Sequence, residues 1–312
     1  MSIVVIGASF VDIKGFPQDI YIPDGRNVGR IEYIHGGVAR NVVEDIANCE
    51  LRPTYVGIVD DTPLGSDVLN KLKSHKVNTD YVLTRKDGMG TWLAVFNNSG
   101  DVAGSISKRP NMLPLVDLLE EKGDEIFKNA KSVVIEVDLN KEIVKKVIEL
   151  AKKHSVKLFA LVSNMSIAAE RRDFIKSFDC FICNRQEVGI FFADDYSLYT
   201  PEQMVNVLYD KVTKAKIPAM IVTMGSEGAV YATVDGIKGI CPARKVHVKD
   251  TTGAGDSFCA GVAIGLTYGK TMAEAIEIGS FLAASVITSS ENVCPRFLPE
   301  EIGLDKKYNP VD

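Results

Sequence analysis

Lys249-Asp250-Thr251-Thr252-Gly253-Ala254-Gly255-Asp256-Ser257-Phe258 sets a backbone cradle of phosphate size beside a carboxylate, and the fold is read outward from it. Gly253 and Gly255 lack a Cβ, so the chain can turn there through positive φ and its backbone can approach a ligand closely. Phe258, Val262 and Leu266 recur at every fourth residue, a stripe that predicts a helix from near Ala254 to Gly269. The unpaired N–H groups of residues 253 to 256 then point out of a helix N-terminus, where the macrodipole favours an anion. Asp256 in that first turn has two readings. Taken alone, it stabilises the helix by about 0.3–1 kcal/mol through the dipole. A site that only held phosphate gains nothing from a second anion, whereas one that moves phosphate onto a hydroxyl needs a group to take the proton. Asp256 is therefore the candidate catalytic base.

The run from Asp250 to Asp256 resembles the C-terminal signature of the PfkB (ribokinase-like) family of ATP-dependent sugar and nucleoside kinases. A dinucleotide-binding glycine fingerprint competes poorly, because the spacing fails and that motif follows an early strand. No Walker A lysine motif occurs in the chain. Upstream, His35-Gly36-Gly37-Val38-Ala39-Arg40-Asn41-Val42-Val43-Glu44 is a glycine pair opening a helix and resembles the family's N-terminal signature. Gly36 and Gly37 let a substrate lie against the backbone, and Asn41 offers both a donor and an acceptor to a hydroxyl.

With 312 residues, 46% hydrophobic and 25% charged, the chain fits one large α/β domain. A net charge of −5 without a basic run argues against nucleic-acid polymers or anionic membranes as partners. No apolar run approaches the roughly 20 residues of a membrane span, and the N-terminus carries no basic signal-peptide region, so a cytoplasmic location is expected. The six cysteines sit in apolar segments such as Phe178-Asp179-Cys180-Phe181-Ile182-Cys183. Reduced, buried thiols are the expected state, since no second ligand pair completes a zinc site.

Ile3-Val4-Val5-Ile6 reads as a buried strand, with Asp12 just beyond its end. Its plain reading is a turn residue; in the resembled family this aspartate binds sugar hydroxyls, and a carboxylate suits a diol because it can accept two hydrogen bonds. Residues 16–34 and 91–107 have the alternating runs and turn residues of β-hairpins. The two excursions, at about 14–34 and 90–108, are expected to pair as a small lid sheet on a single domain spanning residues 1–312. After Asn111 helices and strands alternate: helix 112–129, strand 132–137, helix 141–154, strand 156–161, strand 180–183, helix 201–215 and strand 219–223. Such alternation implies a mostly parallel sheet with helices on both faces. The expected fold is thus a ribokinase-like three-layer α/β/α domain.

Ligands of such a sheet bind at the carboxyl ends of its strands. Asp12, Asp138, Asn184, Gly225 and Asp256 each follow a strand pattern or stand in a loop leading to a helix, and the topology would place them along one edge. Asn184-Arg185-Gln186-Glu187 is an ordinary capping box when taken alone. It also matches the Asn-x-x-Glu element that in these kinases organises magnesium and the ATP phosphates, and residues three apart share a helix face. Thr223-Met224-Gly225-Ser226-Glu227-Gly228 resembles the family's nucleotide-side turn. In many relatives Asp250 and Thr252 hold a potassium ion together with a polar loop matching 288–293.

The resemblance runs from Ile3 to about Pro299 and points most to the pseudouridine kinase branch, through the segments 11–15, 27–30 and 36–44. It implies phosphoryl transfer from ATP with magnesium to the primary hydroxyl of pseudouridine. Another nucleoside, ribose or a ketohexose stays open as acceptor. In that reading Asp256, Gly253, Ala254 and Gly255 are catalytic, Asp12, Lys14, Gly36, Gly37, Asn41 and Asp138 hold the acceptor, and Asn184, Glu187, Thr223, Gly225 and Gly228 serve ATP and magnesium. Arg109 is a further lid candidate. A non-catalytic sensor of nucleosides or sugars is the alternative class, and the lid is expected to join two copies of the chain.

Overall fold

The computed structural model describes residues 2–305. Among them, nine strands form a central sheet in the order Lys238–Cys241, Ala229–Thr233, Ala219–Thr223, Cys180–Asn184, Lys157–Leu161, Ala130–Glu136, Ser2–Ile6, Thr54–Val59 and Asn78–Thr84. Every pairing is parallel except the last two at the 229–241 edge. Apolar side chains alternate across the sheet: Val4, Ile6, Val133 and Ile135 pack into one core with the helices Pro114–Lys128, Lys141–His154 and Pro201–Ala215. Ile3, Val5 and Val134 pack into the other with Val38–Asn48, Ala254–Thr267 and Met272–Ile287. A sheet buried on both faces takes continuous apolar strands, and each fully buried aliphatic side chain contributes about 1.5–3 kcal/mol.

Gly261 brings two of these helices together, because a Cβ there would lie 2.6 Å from the Cα of Gly279. The helix Val38–Asn48 is pinned to the same layer through Asp45, whose carboxylate accepts from Ser257 Oγ at 2.8 Å and from the Cys294 N–H at 2.6 Å. Burial pushes the Asp45 carboxyl up to about 7.

A separate four-stranded sheet has the order Gly29–Gly36, Phe10–Pro17, Gly90–Phe96, Val102–Lys108. The two excursions expected to pair do pair, through Phe10–Pro17 and Gly90–Phe96. The boundaries differ from the sequence reading. Residues 19–22 lie outside any strand, and the first strand starts at Phe10, so Asp12 stands within it opposite Ile34 and Trp92. Asp12 and Lys14 interrupt the apolar run because they occupy one face of the strand, and a charged face reads in sequence as a strand's end. All six cysteines are free thiols, and no helix among the described residues is long and apolar enough to cross a membrane.

Candidate active site

The cradle forms as its glycines predict. Gly253 sits at φ +79 at the head of the helix Ala254–Thr267, and a Cβ there would lie 2.0 Å from the carbonyl oxygen of Asn292. No side chain larger than hydrogen fits that contact without displacing one of the two backbones. The Ala254 N–H is bonded to Thr251 O at 3.2 Å and the Ser257 N–H to Gly253 O at 2.9 Å. The open donors among the described residues are therefore the amides of Gly253, Gly255 and Asp256, three rather than the four of the sequence reading. Space is free in front of Gly255, where an added Cβ would meet nothing within 4 Å.

Asp256 stands in the helix's first turn, next to the cradle, and forms no ion pair among the described residues. Its Oδ2 accepts from Asn41 Nδ2 at 2.6 Å. Desolvation raises its carboxyl to about 6, the charges of Asp12 and Glu187 push the same way, and Asn41 and Arg40 oppose them. Asn41 reaches the acid in only one orientation of its amide. Arg40, fully buried, donates to Asn41 Oδ1, to His35 O and to the buried carboxylate of Glu44. Asn292 Nδ2 donates to His35 O at 2.7 Å and stands 3.4 Å from Asn41 Oδ1. With Oδ1 facing these donors, Nδ2 is left for Asp256. Asn292 escapes a sequence reading because its partners lie about 250 residues away, and Arg40 escapes it because an arginine on a helix reads as a solvated residue, not as a buried one.

Asp12 lies over Gly36, where a Cβ would come within 2.8 Å of both carboxylate oxygens. Gly36 thus makes room for Asp12, while Gly37, at φ +97, caps the helix Val38–Asn48. Burial raises the Asp12 carboxyl, against the charges of Lys14 and Arg40. Lys14, on the same strand face as Asp12, is nearly buried, and its charge helps to lower the Asp250 carboxyl. Asp250 Oδ1 accepts the Thr252 N–H at 2.8 Å, which holds its carboxyl below the usual range.

Glu136, absent from the sequence reading, closes the floor. It accepts the N–H of Ala39 at 2.8 Å and of Ala8 at 3.4 Å, and burial pushes it up to about 8. Its signal was a lone acid ending the apolar run Ser132-Val133-Val134-Ile135-Glu136. Asp138, two residues on, accepts from the Ser163 N–H at 3.0 Å, Ser163 Oγ at 2.7 Å and Arg109 Nη2 at 3.1 Å. Arg109, just past the strand Val102–Lys108, is thus a partner of Asp138.

Asn184 and Thr223 are cross-strand neighbours. Asn184 Oδ1 accepts the Glu187 N–H at 2.8 Å and Glu187 Oε2 accepts the Asn184 N–H at 2.7 Å, so the capping box is present. Burial raises the Glu187 carboxyl, and Asp138 adds to the shift. Gly225 (φ +60) and Gly228 (φ +98) shape the turn after Thr223. Beside it opens a cleft of about 890 Å³ lined by Arg185, Tyr196, Met224, Gly225 and Ser226. Asp12 and Glu187 lie near enough to Asp256 for their charges to raise its carboxyl, and Asp138 does the same to Glu187.

The family model described as pfkB family carbohydrate kinase matches residues 1–295. The chain belongs to the pfkB family. It is an ATP-dependent carbohydrate or nucleoside kinase. It is 37% identical over 294 residues to the guanosine-inosine kinase of Exiguobacterium acetylicum, covering 93% of this chain and 95% of that protein. It is 22% identical to the pseudouridine kinase of Escherichia coli, covering 88% and 86% of the two. Its fold matches that of Arabidopsis thaliana ribokinase, solved with ribose and ATP, with a TM-score of 0.81 at 19% identity over 100% of this chain and 99% of that one. The ribokinase-like fold expected from the sequence is therefore shown.

Proposed function

We propose that this kinase transfers the γ-phosphoryl group of ATP to the 5′-hydroxyl of a nucleoside, with guanosine and inosine as its favoured acceptors. The observation that carries the reading is Asp256, a desolvated acid held by Asn41 at 2.6 Å next to three open amides. The 37% relative supports a purine nucleoside over pseudouridine, whose named kinase is the more distant relative. Pseudouridine stays in the test as the second acceptor.

Asp12 holds the ribose hydroxyls and Asp256 takes the 5′-hydroxyl proton while the oxygen bonds to the γ-phosphorus. The bond from that phosphorus to the β–γ bridging oxygen breaks and ADP leaves. The amides of Gly253, Gly255 and Asp256 donate to the phosphoryl oxygens, where charge builds. A carboxyl near 6 is mostly ionised at pH 7, yet a better proton acceptor than an ordinary aspartate.

No group of three or more His, Cys, Asp or Glu among the described residues could enclose a metal unaided. The half-buried, desolvated Glu187 carboxylate beside Asn184 would nevertheless suit a magnesium ion. When bound, that ion neutralises phosphate charge. Asp250 and Thr252 remain the candidates for a monovalent ion, and the low proton affinity of Asp250 keeps its oxygens available to a cation.

Because the base must be ionised, kcat/KM is expected to fall about tenfold per pH unit below an inflection near 6. A profile flat from pH 7 to pH 5, with the fold intact by circular dichroism, would remove Asp256 from the proton step. The sensor reading predicts binding without turnover, so formation of ADP that depends on a nucleoside decides against it.

The small sheet serves as lid and clasp in this reading. Ile31, Tyr33, Leu93, Val95 and Ile106 lie exposed in adjoining rungs on one face, opposite the face of Asp12 and Lys14. A second copy of the chain would cover that apolar face. Sedimentation equilibrium is expected to give twice the chain's mass for the wild type and the single mass for Ile106→Glu. A wild-type monomer at assay concentration would rule out the clasp.

A further inference from the structure

A cavity of about 200 Å³ lies beyond Glu136, walled by Phe10, Met112, Ser163, Arg171, Arg109 and Asp138. Phe10 and Asp12 are two apart on one strand and so share a face. Glu136, in the cavity wall, accepts the N–H of Ala39 at 2.8 Å, two residues before the Asn41 that holds Asp256. The order along the site is thus Asp256, Asp12, then this cavity. A nucleoside carries its base on C1′ and its 5′-hydroxyl beyond C4′, the two carbons that flank the ring oxygen, so with the hydroxyl at Asp256 and the ribose at Asp12 the base extends toward Asp138.

The polar groups there form a defined pattern. Asp138 is almost wholly buried, while Arg109, just past the lid strand Val102–Lys108, is about half exposed. Arg109 Nη2 donates to Asp138 Oδ2 at 3.1 Å, its only hydrogen bond among the described residues. Four of the five guanidinium donors remain. Among the described residues Asp138 Oδ1 accepts only the Ser163 N–H, so it keeps an acceptor site. Arg171 also lines the cavity, and its Nε is buried with no partner among the described residues.

We propose that Arg109 and Asp138 read the lactam edge of a nucleobase, a ring carbonyl next to a ring N–H, with Arg109 donating to the oxygen and Asp138 accepting from the nitrogen. This rests on the nucleoside reading above. Guanine and hypoxanthine share that edge at O6 and N1–H, and uracil-type bases present it at a carbonyl and N3–H. Adenine and cytosine place an amino donor against the guanidinium and a bare nitrogen against the carboxylate. Both contacts then fail, with donor set against donor and acceptor against acceptor, which is the condition under which a site rejects an analogue strongly. Because Arg109 leaves the lid and Asp138 belongs to the body, the correct base also ties the lid shut.

The test compares kcat/KM for inosine with adenosine, and for pseudouridine or uridine with cytidine. A ratio of about 10² or more is expected for the favoured pair in the wild type, falling below about 10 in Arg109→Met, chiefly through loss on the lactam base. On the unaltered protein, 1-methylinosine, which lacks the N1 donor, is expected to be at least about tenfold worse than inosine. A wild-type ratio near one, an Arg109→Met ratio equal to the wild type, or equal use of 1-methylinosine overturns the inference while the nucleoside reading stands. Turnover of free ribose with none for any nucleoside overturns both.

Discussion

Asp256→Asn is expected to keep the fold and ATP binding and to lower kcat by about 10²–10⁴. Asparagine keeps the size and can still contact Asn41, now through its own amide oxygen, so the packing around helix Ala254–Thr267 has no reason to change. What disappears is an acceptor for the hydroxyl proton. The loss should fall on kcat, since in the proposed mechanism Asp12 and the cavity beside Asp138 hold the acceptor independently. Burst and steady-state rates, with the nucleotide Kd measured by titration, check this. Near-normal turnover would take Asp256 out of the mechanism.

Gly253→Ala is expected to cost about 10²–10³ in kcat, the scale of losing an oriented amide donor, and to lower Tm as well. The added methyl would sit 2.0 Å from Asn292 O, and the backbone at φ +79 is unfavourable for alanine by about 1–2 kcal/mol. Relief would shift either the cradle or the segment whose Asn292 side chain contacts Asn41. Gly255→Ala provides the contrast in stability. Its methyl meets nothing within 4 Å and its φ is ordinary, so Tm should stay or rise. Equal Tm values for both variants would mean that the contact with Asn292 does not constrain the cradle.

The parallel body was legible because strands buried on both faces are unbroken apolar runs, as in residues 3–6 and 219–223, and because the intervening helices carry clear periodicity. The helices Lys141–His154 and Pro201–Ala215 fall where the sequence places them. The small sheet was legible as a pair of excursions but not in register, since Asp12 and Lys14 give its first strand a charged face. The antiparallel edge Ala229–Thr233 and Lys238–Cys241 had an Asp235-Gly236 turn as its signal. The cradle glycines and Asp256 were readable because local backbone geometry dictates them. The contacts around the acid were not: Arg40 acts through its neighbour Asn41 only because it is buried, Asn292 arrives from the far end of the chain, and Arg109 meets Asp138 from a distant segment. Burial and long-range pairing are set by the tertiary structure.

The central claim is that Asp256 and the amides before it face the hydroxyl of one small alcohol. Incubation with ATP, magnesium and a panel of inosine, guanosine, pseudouridine and ribose, with mass detection of products, tests it most directly. The account predicts a nucleoside 5′-monophosphate formed one-for-one with ADP, and its near-disappearance with Asp256→Asn. ADP formed without any phosphorylated nucleoside, or the same product at an undiminished rate from Asp256→Asn, would contradict it.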